Sequence, residues 1–469
     1  FNFGGCHESG IASKEKYEKV TENLKPGQRQ EAASLDLPPY YPDTPAVRED
    51  WKRNYELITA LDEWVGEHLR ALEEAGLADT TIVMFWSDHG VGLPRAKRWL
   101  YDSGTHVPLI VYVPPAFQDL RAHTPAGECQ DLISSIDFGP TVLSLAGLPV
   151  PKVMQGRPFL GKQPGAKRKY VFGARDRMDE RYDIIRSVRD RRYRYIRNYE
   201  PLKPYYQYMN TPEKGMTMQE IRRVGRDGRL PAGALAFMGE GKPVEELYDL
   251  EKDPHEIRNL ATDPDHRERL ERMRQVQQDW SRRTRDLGLV PESQIAAAEG
   301  VAGSRFALLR EGSSEDLLQR LVRVAARASE GPEALGDLRR ASGDTSPAVR
   351  YWAATGMGHY PDDLGAGDHQ LLLFLVEDDD PAVRVAAARA LASIVAFHPR
   401  ALTLLEKELS SEEEWVRLQA AIVLDEMGER ARPSLTALQR CLKGQPNKYI
   451  TRVANHAVNA LLGTNHRVR

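Results

Sequence analysis

Ser87-Asp88-His89-Gly90 follows directly on the apolar run Ile82-Val83-Met84-Phe85-Trp86. A carboxylate oxygen and an imidazole nitrogen side by side can ligate a metal, and the glycine after them lets the chain turn sharply. Lys97 follows in the same stretch, a point cation suited to an anionic group. A further imidazole, His7, stands just past Phe1-Asn2-Phe3-Gly4-Gly5, which reads as the end of another strand. A carboxylate, imidazoles and an ammonium brought together beyond strand ends suggest metal-assisted chemistry on an oxyanion. Taken singly, each has a plainer reading: Asp-His-Gly is a capped turn, and His7 an exposed loop histidine.

Those groups need elements to position them. Residues 82–86, β-branched and aromatic, read as a strand buried on both faces of a parallel sheet, with a ligand expected just beyond its carboxyl end. Ahead of it, Ile58, Leu61, Val65, Leu69 and Leu72 step by three or four, which predicts a helix over 47–75 stopped by Gly76. Residues 107–113 read as a second buried strand, and 135–146 as a helix. The proline-broken stretch 11–46 reads as a surface excursion, its LPPYYPDTP a connecting loop. Alternating helices and apolar strands argue for an α/β layered fold.

Residues 151–290 change character. Strands at 170–175, 192–197 and 247–250 predict a smaller, more antiparallel sheet, with 199–244 wrapping the surface. Leu270, Met273, Val276 and Trp280 mark a closing helix. The cluster Arg175-Asp176-Arg177 and Asp179-Glu180-Arg181 reads first as a solvated charged loop; substrate binding by Arg175 and Arg177 is the weaker reading. Residues 291–312 read as a linker. Beyond it SPAVRYWAATGMG, DPAVRVAAARALA, EWVRLQAAIVLDEMG and KYITRVANHAVNALLG share a Val-Arg or its weaker copy before an Ala-rich helix. Arginines 350, 384, 417 and 452 recur about every 34 residues, so each unit is a helix pair that buries its face only against its neighbours. The aligned arginines read as bonds between repeats.

The 469 residues allow two or three domains, and 41% hydrophobic with 28% charged residues suits globular ones. A net charge of −3 gives no global basic field for nucleic acid. No apolar run approaches the ~20 residues of a membrane helix. Cys6, Cys129 and Cys441 lie far apart, with neither a disulfide framework nor a zinc pattern. A chain opening at Phe1 on the end of a strand is expected to be truncated upstream, with any signal peptide beyond it.

SDHG, then K-R-x-L-Y-D-S-G and Val107-Pro108-Leu109-Ile110-Val111, preceded by LDEWVGEHLRALEEAGLADTTIV and followed by IDFGPTVLSLAGLPVP and EELYDLEKDPHEIRNLA, resemble the sulfatase family over most of residues 1–290. RDRMDERYD and VRDRRYRYIRNY are closest in tone to the N-sulfoglucosamine sulfohydrolase branch and its bacterial relatives, and the repeats resemble HEAT repeats. The resemblance implies an α/β sandwich of the sulfatase/alkaline phosphatase type, truncated, with a small α+β C-terminal subdomain and then an all-α HEAT-like solenoid. The corresponding division is 1–150, 151–290, a linker at 291–312, and repeats over 313–469.

It further implies Asp88 and His89 as ligands of one calcium ion, Lys97 on a sulfuryl oxygen, and His7 on the sulfate as a proton donor. Many members carry Asn at the position of His89. Sulfatases attack sulfur with a formylglycine made from Cys-x-Pro-x-Arg, and none of the three cysteines lies in that motif. The family's paired aspartates and its Lys-x-His segment are also absent, so all of these are expected upstream and the chain alone is expected to be inactive. The implied substrates are sulfate esters or sulfamates of saccharides. The alternatives are a phosphoric or phosphonic ester hydrolase of the same superfold, or a pseudo-sulfatase whose repeats bind a protein partner. Periplasmic or secreted localisation is expected from the resemblance only.

Overall fold

The computed structural model describes residues 1–121, 126–310 and 314–468. A turn at Gly4–Cys6 leads into two short helices, α1 (Glu8–Ala12) and α2 (Lys14–Val20), capped by the side chains of His7 and Ser13. The stretch that follows is not a plain surface loop. Tyr40 and Tyr41 are buried, and the Tyr41 hydroxyl donates to the Pro94 carbonyl at 2.6 Å. Helix α3 (Pro45–Glu74) starts where the Thr44 hydroxyl accepts from the Val47 N–H and Pro45 fills the first position; Gly76, at φ +68°, ends it. Its buried face is Val47, Asp50, Asn54, Leu57 and Ala60. Ile58 and Leu69, expected on the core face, are 47% and 42% exposed, because only the first half of the helix is packed, against α1 and against α6 (Met216–Arg226).

Strand β1 (Val83–Trp86) is found where the apolar run predicts it, but its partner differs. It pairs antiparallel with β2 (Leu109–Tyr112), Trp86 opposite Leu109, as a two-stranded sheet. The expectation of strands buried on both faces of a parallel sheet is therefore corrected. Residues 87–108 fold the chain back on itself, and no third strand joins the pair among the described residues. Trp86, Ile110 and Tyr112 are consequently exposed. Between the strands lies α4 (Asp102–Thr105); after them α5 (Phe138–Leu145) sets Phe138 against Trp86, ring centroids 5.0 Å apart.

The second sheet runs β3 (Val171–Met178), β4 (Arg181–Arg189), β5 (Tyr193–Asn198), β6 (Glu245–Asp249), neighbours in that order and all antiparallel. The charged cluster read as a solvated loop is the β3–β4 hairpin. Arg175, Glu180, Arg181, Asp183 and Arg186 are all buried in it. Charge hid the strand: Arg186 lies inside only because Asp286 at 2.7 Å and Asp176 at 2.8 Å meet its guanidinium. The stretch 199–244 is likewise no surface wrap, since Tyr205, Met209, Ile221 and Phe237 are buried; it holds α6 and α7 (Ala232–Leu235). Helix α8 (Arg267–Thr284) closes this part on Leu270 and Met273, with Trp280 stacked on Phe172 at 5.0 Å.

Of the expected linker, residues 311 and 312 lie outside the described residues, and α9 (Glu292–Ala302) occupies much of the rest. The repeats follow as α10 (Ser314–Arg327), α11 (Leu335–Ala341), α12 (Pro347–His359), α13 (Ala366–Leu375), α14 (Pro381–Ala392), α15 (His398–Glu408), α16 (Glu414–Glu426), α17 (Leu435–Arg440) and α18 (Lys448–Leu462). Alanine keeps the facing helices close: Ala353, Ala387, Ala388, Ala420 and Ala421 are fully buried. Arg350 grips Asp378 through two hydrogen bonds of 2.6 and 2.8 Å, and Arg384 reaches Glu408 at 2.7 Å. Each also donates to carbonyls at the end of the preceding helix pair, so these arginines do join repeats. Arg452 reaches Glu180, in the turn between β3 and β4, at 3.4 Å.

One hydrophobic core runs from Ile184 and Tyr199 of the sheet region through Leu289 into the repeats. No helix among the described residues is long and apolar enough to cross a membrane.

Candidate functional site

His7 is fixed by its own role as a cap. Its Nδ1 lies 3.1 Å from the Ser9 hydroxyl and 3.2 Å from the Ser9 amide nitrogen, at the start of α1. The loop after β1 is then laid across that helix start. The Gly90 N–H donates to the Gly104 carbonyl at 3.0 Å, and the Lys97 N–H to the Val91 carbonyl at 3.0 Å. A Cβ on Gly92 would sit 2.8 Å from the Glu8 Cα, so only glycine lets the loop come this close. The result places the Lys97 ammonium 3.1 Å from His7 Nε2, between residues ninety positions apart in sequence.

Lys97 is held between two anchors. Arg95 and Arg98 both adopt positive φ, +64° and +79°, an uncommon conformation for side chains of this size. Arg95 is fully buried, its guanidinium 4.5, 4.0 and 4.7 Å from the ring centres of Tyr40, Tyr101 and Phe237, and it donates to the Glu256 carbonyl at 2.5 Å. Arg98 forks onto both carboxylate oxygens of Glu8, at 2.7 and 2.8 Å, and bonds Asp179 at 2.6 Å.

The charges follow from these contacts. Burial opposes the ionisation of Glu8, but the hydrogen bonds and charge of Arg98, with Lys97 behind them, outweigh it and hold the carboxyl below its ordinary range. Burial and then the neighbouring Lys97 push the His7 imidazole below its ordinary value. His7 is thereby biased toward the neutral ring. The Lys97 ammonium can only donate, so the neutral ring accepts from it at Nε2 and carries its hydrogen on Nδ1, which donates to the Ser9 hydroxyl at 3.1 Å. An oxyanion brought here would meet the Lys97 ammonium, and the ring would become a second donor on taking up a proton at Nε2. Glu8 lies 3.5 Å from the Lys97 ammonium but is already matched by Arg98.

Asp88 and His89 begin the loop that carries Lys97, and His89 is near enough for its charge to act on the His7 imidazole. His89 Nδ1 lies 2.7 Å from the Gly90 carbonyl and must donate to it, which leaves the Nε2 lone pair free, 3.6 Å from Asp88 Oδ1. An exposed carboxylate and an unprotonated imidazole nitrogen suit a divalent ion. Calcium takes six to eight ligands, mostly oxygen. Among the described residues no group of three or more His, Cys, Asp or Glu could hold a metal. The pair therefore fits as part of a ligand set, not as a whole one.

Arg175 and Arg177 are not in this cluster. Arg175 is buried 4.4 Å from the Trp99 ring centre, behind the site. Arg177 turns away to Glu292 at 2.9 Å and to the rings of Trp415 and Tyr449 in the repeats. Glu8, Arg98 and Asp179 belong to the site but escape the sequence reading. Glu8 and Arg98 are direct neighbours of His7 and Lys97, and only the folded chain shows that they pair.

Residues 2–148 match the sulfatase family model, residues 94–224 the model of the C-terminal part of N-sulphoglucosamine sulphohydrolase, and residues 369–459 the HEAT repeat model. An ulvan-active sulfatase of Formosa agariphila is 37% identical over 294 residues, 63% of this chain and 47% of the relative. Human N-sulphoglucosamine sulphohydrolase is 30% identical over 269 residues, covering 53% and 51%. The chain spans about half the length of these relatives. A solved candidate sulfatase of Bacteroides fragilis is 21% identical, with a TM-score of 0.40 over 60% of this chain and 52% of that one.

Proposed function

From a chain whose residues 2–224 are sulfatase-family sequence and whose residues 369–459 are HEAT repeats, we propose a protein that hydrolyses sulfate esters or sulfamates of sulfated saccharides. The observation that carries the reading is the 3.1 Å meeting of Lys97 and His7, with Asp88 and His89 on the same loop as Lys97. A sulfuryl group needs charge neutralised on its oxygens and a proton for its leaving atom. Lys97 binds a sulfuryl oxygen. His7, once it has taken up a proton at Nε2, contacts the same group and passes that proton to the departing oxygen or nitrogen, returning to the neutral ring. Glu8, through Arg98, keeps both donors in place. Asp88 and His89 contribute ligands to calcium, which when bound would add positive charge at the sulfuryl oxygens.

The sequence holds no Cys-x-Pro-x-Arg, so in this reading the nucleophile is a formylglycine on a segment outside these 469 residues. Residues 1–150 then belong to the catalytic domain, 151–290 to its smaller subdomain and 313–469 to the repeats, in an exported protein.

The test is hydrolysis of sulfated glucosamines by the product of the complete coding sequence, beside the 469-residue chain and a complete Lys97→Ala variant. Turnover by the complete protein is expected, with none by the short chain and a fall of about 10²–10³ in kcat for Lys97→Ala. Turnover by the short chain would overturn the placing of the nucleophile. Turnover of phosphonate monoesters alone would make the protein a hydrolase of those esters, and turnover of neither would make it a pseudo-sulfatase.

A further inference from the structure

A cavity of about 730 Å³ lies between the segment 202–213 and helices α12, α14, α16 and α18 of the repeats. It is in the size range of sites that hold small ligands. Tyr206, Gln207 and Glu213 line it and also line the small cavity beside Lys97, so the two share a wall. Small residues of α12 and α14, among them Gly358, Ala386 and Ala390, leave the space open on the repeat side.

Two buried acceptors in its lining lack a donor. His359 is 8% exposed; its Nδ1 lies 2.7 Å from the Ala328 carbonyl and must donate there, so the buried Nε2 lone pair has no partner. Gln207, also 8% exposed, donates its amide to Asp183 at 3.1 Å, and its Oε1 has no partner. Acceptors without donors call for hydroxyl groups, not for an anion. An aromatic face stands with them: Tyr208 stacks on His456, centroids 3.9 Å apart and planes 20° apart, and His456 is held by Asp425 at 2.6 Å. Arg430, in the same lining, bonds the Ala392 carbonyl at 3.1 Å and meets no carboxylate among the described residues, unlike Arg389, which is matched by Glu200 and Glu426.

Hydroxyl-seeking acceptors, a ring face and one uncommitted cation are the chemistry of an acidic sugar. We propose that this cavity is a second saccharide site, which takes a uronate- or sulfate-bearing sugar of an oligosaccharide whose other end reaches Lys97. The link to Lys97 rests on the reading above; the cavity itself does not. It gives the repeats a part in choosing substrate length, with the segment 202–213 clasping the sugar from one side and α12, α14, α16 and α18 from the other.

The experiment is calorimetric titration of the 469-residue chain with an unsulfated, glucuronate-containing tetrasaccharide, which bears nothing for Lys97 to bind as a sulfuryl group. Binding is expected, weakened about tenfold or more in both Arg430→Glu and Tyr208→Ala. Both side chains are incompletely buried, and unchanged circular dichroism confirms that the variants fold. No binding at millimolar sugar, or equal binding by both folded variants, would overturn the second site. Binding by the chain without sulfate hydrolysis by the complete protein would keep this site and remove the sulfatase reading; hydrolysis without binding would do the reverse.

Discussion

Glu8 and Arg98 carry no chemistry of their own in the proposed reaction, yet they fix the groups that do. Glu8 is 8% exposed, and Arg98 answers both of its oxygens. Arg98→Ala leaves a buried carboxylate without its main partner, and the expected loss is about 3–5 kcal/mol in urea unfolding. Lys97→Arg keeps the charge but not the compact ammonium that meets His7 at 3.1 Å. In the complete protein it is expected to restore little of the activity lost in Lys97→Ala. Recovery to near the wild-type rate would show that only the charge at this position matters. At this scale the sequence was informative where residue type alone speaks: Asp88, His89, Lys97 and His7 stand out as chemistry. It was silent on Arg175 and Arg177, whose types suit a substrate and whose places are under Trp99 and against Trp415.

Elements explain how the loop between β1 and β2 brings its residues to α1. Glycine is the device at Gly92, where a side chain would meet the backbone of Glu8. Gly92→Ala is expected to cost about 1–3 kcal/mol and to lift Lys97 off His7, so that sulfate binding weakens together with stability. A variant that loses stability and binds sulfate as before would show that the loop adapts. The strands themselves were legible from β-branched and aromatic runs, and the helices from their period and caps. Two features were not. The β3–β4 hairpin is written in arginines and acids, and such a strand lies inside only because its counter-charges arrive from elsewhere, as Asp286 does for Arg186. The direction of the β1–β2 pairing was also hidden, because an apolar run states that it is buried or paired but not with which neighbour.

At the scale of the molecule, the repeats are not a free-standing appendage. Arg181 bonds Asp425 at 2.6 Å, Arg389 bonds Glu200 at 2.7 Å, the Arg197 guanidinium donates to the Ala326 carbonyl at 2.8 Å, and the Trp352 indole donates to the Leu289 carbonyl at 2.7 Å. Asp425→Ala would leave Arg181, a buried cation, without its carboxylate, and a loss of about 3–5 kcal/mol is expected. Because the core is shared, the sheet and the repeats are expected to unfold together in one transition by near-ultraviolet and far-ultraviolet signals alike.

Acid tests the same interface. Burial pushes the His359 imidazole down to about 4, against an ordinary value near 6.5. Below pH 6.5 the unfolded chain takes up a proton that the folded chain refuses. The stability that His359 contributes is therefore fully present above 6.5 and is lost as the pH falls to about 4, about 3 kcal/mol from this one group. His359→Gln is expected to flatten that slope between pH 7 and 5. Glu200, held down to about 2 by Lys203 and Arg389 against the effect of its burial, acts below its ordinary value. Glu256, pushed up to about 7 by burial, takes up its proton in the folded chain over the same window and opposes the fall. The difference between wild type and His359→Gln therefore isolates the imidazole. An unchanged slope in His359→Gln would place the acid sensitivity elsewhere.

The sequence by itself determined the long helix before β1, the strand β1, the repeat period, the aligned arginines and the residue types of the site, because these depend on local spacing and on side-chain chemistry. It also carried the family resemblance, in motifs that keep their order along the chain. Tertiary structure alone decided that Lys97 meets His7, that Glu8 pairs with Arg98 across ninety residues, that a run of charges is a buried hairpin, and that the inner face of the repeats closes over the segment 202–213. The reason is common to all four. Each is a contact between groups distant in sequence, and its free energy depends on what else is brought out of water beside it.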